Sequence, residues 1–519
     1  MPINMSIILP VALAVILAIV LIVLAVVMFR TARFAIVPEE VEPVAPVEIN
    51  AEAVAERLGK AVQFQTISSG EGAPVDRSAF LGLHRLLEGM FPHLHSTLKR
   101  EYINEYSLLY TWPGKNLELD PVLLASHLDV VPVDPTSLNE WAYPPFSGQV
   151  AEGFVWGRGT MDVKNGVIGI MEAVEYLVKA DFEPERTVYL AFGHDEEIGG
   201  HNGTAQIAAT LQQRGVTLAC VLDEGGGVVE GVLPGINAPV AAVGVAEKGY
   251  LSLVLEAEGT GGHSSMPPAH STIGVLSQAV ARLEGSPFPA SFDSFISFMR
   301  YIGSDLSFSM QMALANLWLL KGSVLQRLEA SPVTNALIRT TQAVTMVAGG
   351  VKDNILPRVA KAVVNYRLYP GDTLRSVYEH TVDVMGDLPV KISAFNGETL
   401  EGPNGWEASP VSDPESPQFA FLAYLVRRVF PEAAVGPYLV AGATDARYYT
   451  PLCLSVFRFT PMGLDISDME RPHGVNERLS VQNCAKMVTF YVEFLREMAG
   501  SEEKGKVESV EKTPEETAS

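Results

Sequence analysis

The chain has 519 residues, enough for two domains, and 48% of them are hydrophobic, which indicates a globular protein with a substantial core. Its net charge of −23 excludes nucleic acid as a partner, because phosphate binding needs a basic surface. The three cysteines, Cys220, Cys453 and Cys484, do not suggest a disulfide framework, and the first two stand in apolar runs typical of buried strands.

The first predicted element is a membrane helix. Residues 6–29 carry no charged side chain, and at about 1.5 Å per residue they would cross a hydrocarbon core of about 30 Å. A cleaved signal peptide is the alternative, but the apolar run is longer than a usual signal core and no clear small-residue cleavage site follows it. Arg30 and Arg33 come directly after the run, and the positive-inside rule alone would then place the rest of the chain in the cytoplasm.

Residues 30–50 are rich in Pro, Val and Glu and predict an extended tether. Beyond them, strand-like and helical stretches alternate, which is typical of an α/β sheet covered by helices. We assign this discontinuous α/β domain to residues 51–246 and 399–499. Its clearest predicted strands lie at 121–126, 187–193, 217–222 and 453–459, and its clearest predicted helices at 167–180 and 480–499.

An inserted α+β lid or dimerisation domain is predicted at 247–398, because its strands alternate apolar and polar residues as half-buried strands do. Its predicted strands lie at 249–265 and 360–370, and its predicted helices at 270–283 and 373–386. Within it, residues 285–348 are apolar and rich in Met and Phe, which fits core helices and an apolar substrate groove equally well. Residues 500–519 predict a disordered tail.

Acids and histidines recur where predicted strands stop. Each alone fits a solvated strand end or a helix cap, but the carboxyl ends of strands in an open α/β sheet meet at one crevice. Crowded carboxylates are costly unless a cation lies among them. Two imidazoles and three carboxylates suit a pair of zinc ions. The candidates are His127 with Asp129 two residues on, Asp162 in a glycine-flanked loop, the adjacent Glu196 and Glu197, Asp223, and His473.

These residues stand in motifs that resemble a known family. SHLDVVP, GRGTMDVKNG, GHDEEIGG, DEGG, GHSSMPP, NILP and HGVNERLS follow one another as in the dinuclear zinc metallopeptidases that include carboxypeptidase S and aminoacylase. The resemblance covers about residues 55–498. The segments EKGYLSLVLE, SPVTNALIRTT and VNYRLYPGDT are similar to the N-fatty-acyl-amino acid synthase/hydrolase branch, although Val163 and the surroundings of His201 depart from it.

The resemblance implies a role for each candidate at two Zn²⁺ ions. Asp162 would bridge the ions, His127 and Asp223 would complete one site, and Glu197 and His473 the other. Glu196 would be the general base that takes a proton from the attacking water and returns it to the leaving amine. Asp129 would hold the imidazole of His127.

Further residues are implied for the substrate. His263 would stabilise the oxyanion, from its own or from a neighbouring subunit of a homodimer formed through the lid domain. Arginine holds a free carboxylate with paired hydrogen bonds, and Arg367 with Asn354, or Arg447 with Gly442 and Thr444, are the candidates for this contact.

The resulting hypothesis is a membrane-anchored zinc amidohydrolase that cleaves, and by reversal forms, N-acyl amino acids with fatty acyl chains. The resemblance places its catalytic domain outside the cytoplasm, contrary to the positive-inside rule. The alternative is a carboxypeptidase S-like peptidase acting on dipeptides and short peptides. A third hypothesis, an inactive binding protein on the same fold, would predict a lost ligand or base, yet all of them are present.

Overall fold

The computed structural model describes residues 5–45, 47–70, 72–231, 236, 238–397, 399–402 and 404–500. Apart from Gly500, the predicted tail lies outside these residues. The chain divides into two compact units. The main unit comprises Val41–Val228, Glu415–Pro431 and Thr444–Ser519, and the insert unit comprises Met1–Glu40, Val229–Pro414 and Glu432–Ala443.

The helices begin where polar caps satisfy free backbone N–H groups. The Asn50 side chain accepts a hydrogen bond from Ala53 N–H, and the Ser480 hydroxyl accepts one from Asn483 N–H. In the described residues the α-helices are α1 Met5–Ala32, α2 Ala51–Val62, α3 Arg77–Met90, α4 Pro92–Thr97, α5 Lys164–Lys179, α6 Thr204–Gln213, α7 Thr272–Glu284, α8 Asp293–Tyr301, α9 Phe308–Ala315, α10 Leu317–Glu329, α11 Pro332–Ala336, α12 Leu374–Met385, α13 Pro417–Val429 and α14 Val481–Ala499.

The strands confirm the sheet elements expected from the sequence. The four predicted strands of the main domain are found as β3, β6, β7 and β18, with ends shifted by up to three residues. The described strands are β1 Lys99–Ile103, β2 Ser107–Trp112, β3 Val122–His127, β4 Gln149–Ala151, β5 Phe154–Trp156, β6 Val188–Gly193, β7 Cys220–Asp223, β8 Val228–Glu230, β9 Val240–Glu247, β10 Gly249–Glu258, β11 Gly262–His263, β12 Thr341–Gly349, β13 Ile355–Leu356, β14 Val359–Leu368, β15 Val390–Ala394, β16 Gly405–Trp406, β17 Ala434–Val440, β18 Val456–Arg458, β19 Gly463–Asp465 and β20 Arg478–Ser480.

The sheet of the main unit brings the predicted site residues to one edge. Its strands follow the order β1-β2-β6-β3-β7-β18, in which β6, β3, β7 and β18 are parallel. His127 lies opposite Gly193, and Asp223 lies opposite Arg458, so these strands end together. Strands β3, β6 and β7 are buried throughout, as expected for a parallel sheet with helices on its faces. The α/β fold class is therefore confirmed.

The insert unit contains an antiparallel sheet in the order β12-β14-β10-β15. Helices α7 and α12 contribute to its core with Leu276, Leu283 and Val377. The compact unit is wider than the predicted 247–398, because β9 pairs in parallel with β17 and both strands belong to it. The alternating burial along β14 agrees with the half-buried strand pattern of the sequence.

The Met- and Phe-rich stretch at 285–348 forms α8 to α11 and most of β12. Its buried side chains include Phe295, Phe298, Ile302 and Leu314, which belong to one hydrophobic cluster of the insert unit. This agrees with the core-helix interpretation for that face of the stretch. Helix α1 belongs to the same unit, and from Pro10 to Ala32 it is long and apolar enough to cross a membrane or to act as a signal sequence.

Candidate metal centre

His127 ends β3 and is almost fully buried, with 1% of its surface exposed. Its Nδ1 lies 3.0 Å from the backbone carbonyl oxygen of Asp129 and 3.3 Å from Asp129 Oδ1. An Nδ1–H group bonded in this way leaves Nε2 free to bind a cation. Nε2 faces two acids, with Asp162 Oδ1 at 3.2 Å and Glu224 Oε1 at 3.4 Å.

Asp129 also shapes the turn that follows β6. Its two carboxylate oxygens accept the backbone N–H groups of Glu196 and Glu197, each at 3.2 Å. The turn is a short 3-10 helix, Glu196–Ile198, and it leaves through Gly199 and Gly200 at φ +104° and +69°, a region that favours glycine. The acids and the double glycine after this strand therefore serve one tight turn.

The turn sends its two glutamates to different neighbours. Glu197 Oε2 lies 3.1 Å from His473 Nε2, whereas Glu196 Oε2 lies 3.9 Å from His127 Nε2. His473 Nε2 is also 3.0 Å from Asp162 Oδ2. Asp162 thus presents one oxygen to each histidine, which is the arrangement expected of a bridging ligand.

Two sets of possible metal ligands share Asp162. Within the described residues, the donor atoms of each set lie within 4.8 Å of one another. One set is Asp162, Glu197 and His473, which the structure brings together and whose role as ligands stays a prediction. The other is His127, Asp162 and Glu224, and it does not contain Asp223, whose role as a ligand stays a prediction. Asp223 is the last residue of β7 and is 3% exposed.

The local charges fit divalent cations. Burial raises the pKa of Glu196 and Glu197, and it raises the pKa of Glu224 to about 7. Hydrogen bonds to Asp162 and Glu197 raise the pKa of His473 to about 10. In the part of the chain that the structure describes, the buried Glu197 Oε1 has no hydrogen-bond partner. A bound zinc ion would offset the repulsion between the crowded carboxylates and would satisfy the free carboxylate oxygen.

Glu477, which the sequence reasoning missed, holds the Asp162 loop through hydrogen bonds to its backbone. This fully buried carboxylate accepts the backbone N–H groups of Gly159, Met161 and Asp162 on Oε1, at 3.0, 2.7 and 3.1 Å. Its Oε2 accepts Arg158 Nη1 at 2.5 Å. The one available signal was its position four residues after His473, in HGVNE. One loop thus supplies a predicted ligand and the anchor of the bridging residue.

Arg447 contacts the same turn as Glu196. Its Nη2 donates to the carbonyl oxygen of Gly199 at 2.6 Å, and Tyr448 Oη donates to the same oxygen at 2.6 Å. The Thr444 hydroxyl oxygen accepts Ala446 N–H at 3.3 Å and so caps the following 3-10 helix, Asp445–Tyr449. Substrate binding by Arg447 and Thr444 stays a prediction, as it does for Gly442, which belongs to the insert unit.

Three further predicted residues belong to the insert unit. Strand β11 pairs with β13, which sets His263 opposite Ile355, and Ser264 N–H donates to the carbonyl oxygen of Asn354 at 3.2 Å. His263 and Asn354 are therefore neighbours.

The third is Arg367, whose guanidinium lies over the Tyr250 ring, 5.1 Å from its centroid. Tyr250 in turn stacks on Trp406 at 4.7 Å. In the described part of the unit no carboxylate forms an ion pair with Arg367, and burial lowers its pKa. The roles of Arg367, His263 and Asn354 toward a substrate stay predictions.

Comparison with known proteins gives the family context. The profile described as Peptidase family M20/M25/M40 matches residues 123–497. A probable carboxypeptidase S-like protein of Dictyostelium discoideum is 38% identical over 479 residues, covering 90% of this chain and 91% of its own. An N-fatty-acyl-amino acid synthase/hydrolase of Danio rerio is 38% identical over 442 residues, covering 84% of each chain. An M20 family metallo-carboxypeptidase of Sulfolobus solfataricus shares the fold, with a TM-score of 0.62, 18% identity, and coverage of 85% of this chain and 98% of its own.

Proposed function

Because the chain belongs to peptidase family M20/M25/M40, and is thus a metallopeptidase relative that hydrolyses amide or peptide bonds, we propose a more specific activity. In this proposal the protein is a membrane-anchored zinc amidohydrolase that cleaves N-acyl amino acids, preferably fatty-acyl ones. It forms them when the reaction runs in reverse. The observation that carries the amidohydrolase chemistry is the pair of ligand sets that share Asp162, with Glu196 beside them.

The side chains suit hydrolysis of an amide. Two zinc ions, when bound, supply an acidified water molecule and polarise the substrate carbonyl. His127, Glu224 and Asp162 would hold one ion, and Asp162, Glu197 and His473 the other.

Glu196 is the general base in this proposal. Its backbone N–H donates to the carboxylate of Asp129, which holds the turn in place. Its own carboxylate belongs to neither of the two ligand sets. Burial raises its pKa, which favours a group that must both accept and release a proton near neutral pH. Glu196 takes the proton of the attacking water and delivers it to the amide nitrogen, so that the C–N bond breaks and a carboxylic acid and a free amine form.

Substrate recognition rests on the carboxylate that N-acyl amino acids and peptides share. We assign this carboxylate to an arginine, with Arg367 and Asn354 or Arg447 as the contacts, and the oxyanion to His263. Arg367 has no carboxylate partner in the described part of the insert unit, which leaves its guanidinium available.

Membrane anchoring is supported by how α1 packs. The Asn316 side chain is fully buried, and its Nδ2 donates to the carbonyl oxygen of Val27 at 3.4 Å and to Thr31 Oγ1 at 3.3 Å. Together with the bond that Nδ2 makes to the carbonyl oxygen of Met312 at 2.9 Å, these two hydrogen bonds join the end of α1 to the start of α10. We therefore propose that α1 is retained, with the catalytic part outside the cytoplasm.

A peptidase acting on dipeptides is the second candidate, because the carboxypeptidase S-like relative is as similar as the N-fatty-acyl one. The test compares kcat/KM of the full zinc-loaded chain for N-oleoyl-phenylalanine, N-acetyl-phenylalanine and a phenylalanine-containing dipeptide. The proposal predicts that kcat/KM is highest for N-oleoyl-phenylalanine, lower for N-acetyl-phenylalanine and lowest for the dipeptide. The Glu196→Gln variant controls for a contaminating hydrolase, and a clear preference for the dipeptide would decide for the peptidase.

A further inference from the structure

The surface of α9 and α10 beside α1 is a candidate for membrane contact. We propose that Phe308, Trp318 and Leu319, called here the α9–α10 surface, dock onto the lipid bilayer next to α1. The inference rests on the proposed function in one respect, namely that α1 is a retained membrane span. It adds a second, non-spanning contact between the insert unit and the lipid.

The end of α1 is fixed to this pair of helices. Arg30 Nε donates to the carbonyl oxygen of Ala315 at 2.9 Å, and Asn316 bonds Val27 and Thr31. Thr31 is 1% exposed, although the helix between Val11 and Phe29 leaves most of its apolar side chains exposed. Helix α1 therefore contacts the junction of α9 and α10 at the point where the apolar part of α1 stops.

This contact sets the depth of the α9–α10 surface. The uncharged run of α1 ends at Phe29, and Asn316 holds the helix at Val27 and Thr31, two residues to either side. At about 1.5 Å per residue, Asn316 lies within a few ångströms of the level at which α1 would leave the hydrocarbon core. Trp318 and Leu319 follow Asn316 by two and three residues, at the start of α10.

The chemistry of the surface fits a lipid interface. Phe308, Trp318 and Leu319 are 55%, 54% and 54% exposed, which is costly in water. Helix α9, FSMQMALA, carries no charge on any face. Trp318 Nε1 donates to Asn316 Oδ1 at 3.2 Å, so its ring has a satisfied polar edge and an exposed apolar body. Tryptophan with this character is enriched at membrane interfaces.

Nearby cations match the headgroup region. Arg30 and Arg33 follow the apolar run of α1, and the exposed Lys321 stands one turn after Trp318. Basic side chains flanking an apolar surface are typical of segments that lie in the interface plane. A second copy of the chain is a less fitting occupant, because any partner there would have to displace the lipid that surrounds α1.

The test measures the depth of a fluorophore on the full chain in liposomes. An environment-sensitive NBD label is attached to Leu319→Cys, and to Val351→Cys as a control at a 91% exposed residue of the same unit. The native cysteines are buried and should react poorly. The label at 319 should show a blue-shifted emission, quenching by a shallow nitroxide lipid and loss of quenching by aqueous iodide, whereas the label at 351 should be quenched by iodide.

The outcomes separate this inference from the proposed function. Protein that resists carbonate extraction but whose label at 319 is quenched by iodide like that at 351 would overturn the docking and leave the membrane span intact. Protein extracted by carbonate would overturn both. Cysteine cross-linking of Leu319→Cys between two copies, without lipid quenching, would identify a second chain as the occupant and also overturn the proposal.

Discussion

The backbone N–H of Asp162 donates to the carboxylate of Glu477 at 3.1 Å, so a buried acid 315 residues away in sequence holds the residue that both ligand sets share. Arg158 Nη1 donates to the other carboxylate oxygen of Glu477, Oε2, at 2.5 Å. The loop of Asp162 and the loop of His473 are therefore one connected support for the metal centre.

Glu477→Gln should loosen this support. The new amide would turn N–H groups toward either Arg158 or the three backbone N–H groups, and in both cases donor would face donor. We expect zinc affinity and activity to fall about 10–100-fold, as for other residues that orient metal ligands. The measurement is a competitive zinc titration with a chromophoric chelator. The exposed Glu470→Gln, in the same region of the chain, is the control, and equal affinity of the two variants would contradict the role of Glu477.

Glu196→Gln and Glu197→Gln should fail in different ways. Glu196→Gln removes the base and keeps both ligand sets, so we expect bound zinc to be retained while turnover falls about 10²–10⁴-fold. Glu197→Gln removes a ligand beside His473, so we expect zinc to be lost from one site. Metal analysis after gel filtration, together with kcat, separates the two variants. A Glu196→Gln protein that turns over substrate normally would be incompatible with the general-base assignment.

Glu224→Gln and Asp223→Asn test which acid completes the His127 site. Glu224 Oε1 lies 3.4 Å from His127 Nε2, and Asp223 is absent from the ligand sets of the described residues. We expect Glu224→Gln to lower zinc affinity by more than tenfold, about 1.4 kcal/mol or more, and Asp223→Asn to lower it less. Zinc titration of both variants decides the matter. The opposite ranking would support Asp223, the ligand that the sequence resemblance implies.

Lys248 should make folding stability depend on pH. It is fully buried, and its Nζ donates to the carbonyl oxygens of Ala336 and Arg339 at 3.0 and 2.8 Å. Burial, and then the nearby Arg367, lower the pKa of Lys248 from 10.5 to about 7. Between these values the unfolded chain binds more protons than the folded chain, so this residue makes stability rise with pH, by up to about 1.4 kcal/mol per unit.

Lys248→Met should remove this contribution and flatten the rise. Urea unfolding of the full chain between pH 7.5 and 9.5 measures it, with Lys391→Met, an exposed lysine of the same unit, as the control. Identical slopes for Lys248→Met and the unmodified chain would show that Lys248 stays protonated in the folded protein.

The sequence by itself determined the α/β class, the strand that ends at His127, the strand that precedes the turn of Glu197, and the likeness that implies Asp162 and His473 as ligands. It could do so because apolar runs mark buried strands, and because parallel strands end at one edge of a sheet whatever their order. These features depend on residue types at short spacing.

Only the tertiary structure decided which of two adjacent acids, Asp223 or Glu224, faces His127, and that Glu477 holds the loop of Asp162. Neighbouring side chains at a strand end point in different directions, so the exact residue at which β7 stops determines which acid reaches the site. The contacts of Glu477 with Asp162 and of Asn316 with Thr31 join segments about 300 residues apart, and no local pattern in either segment encodes its partner.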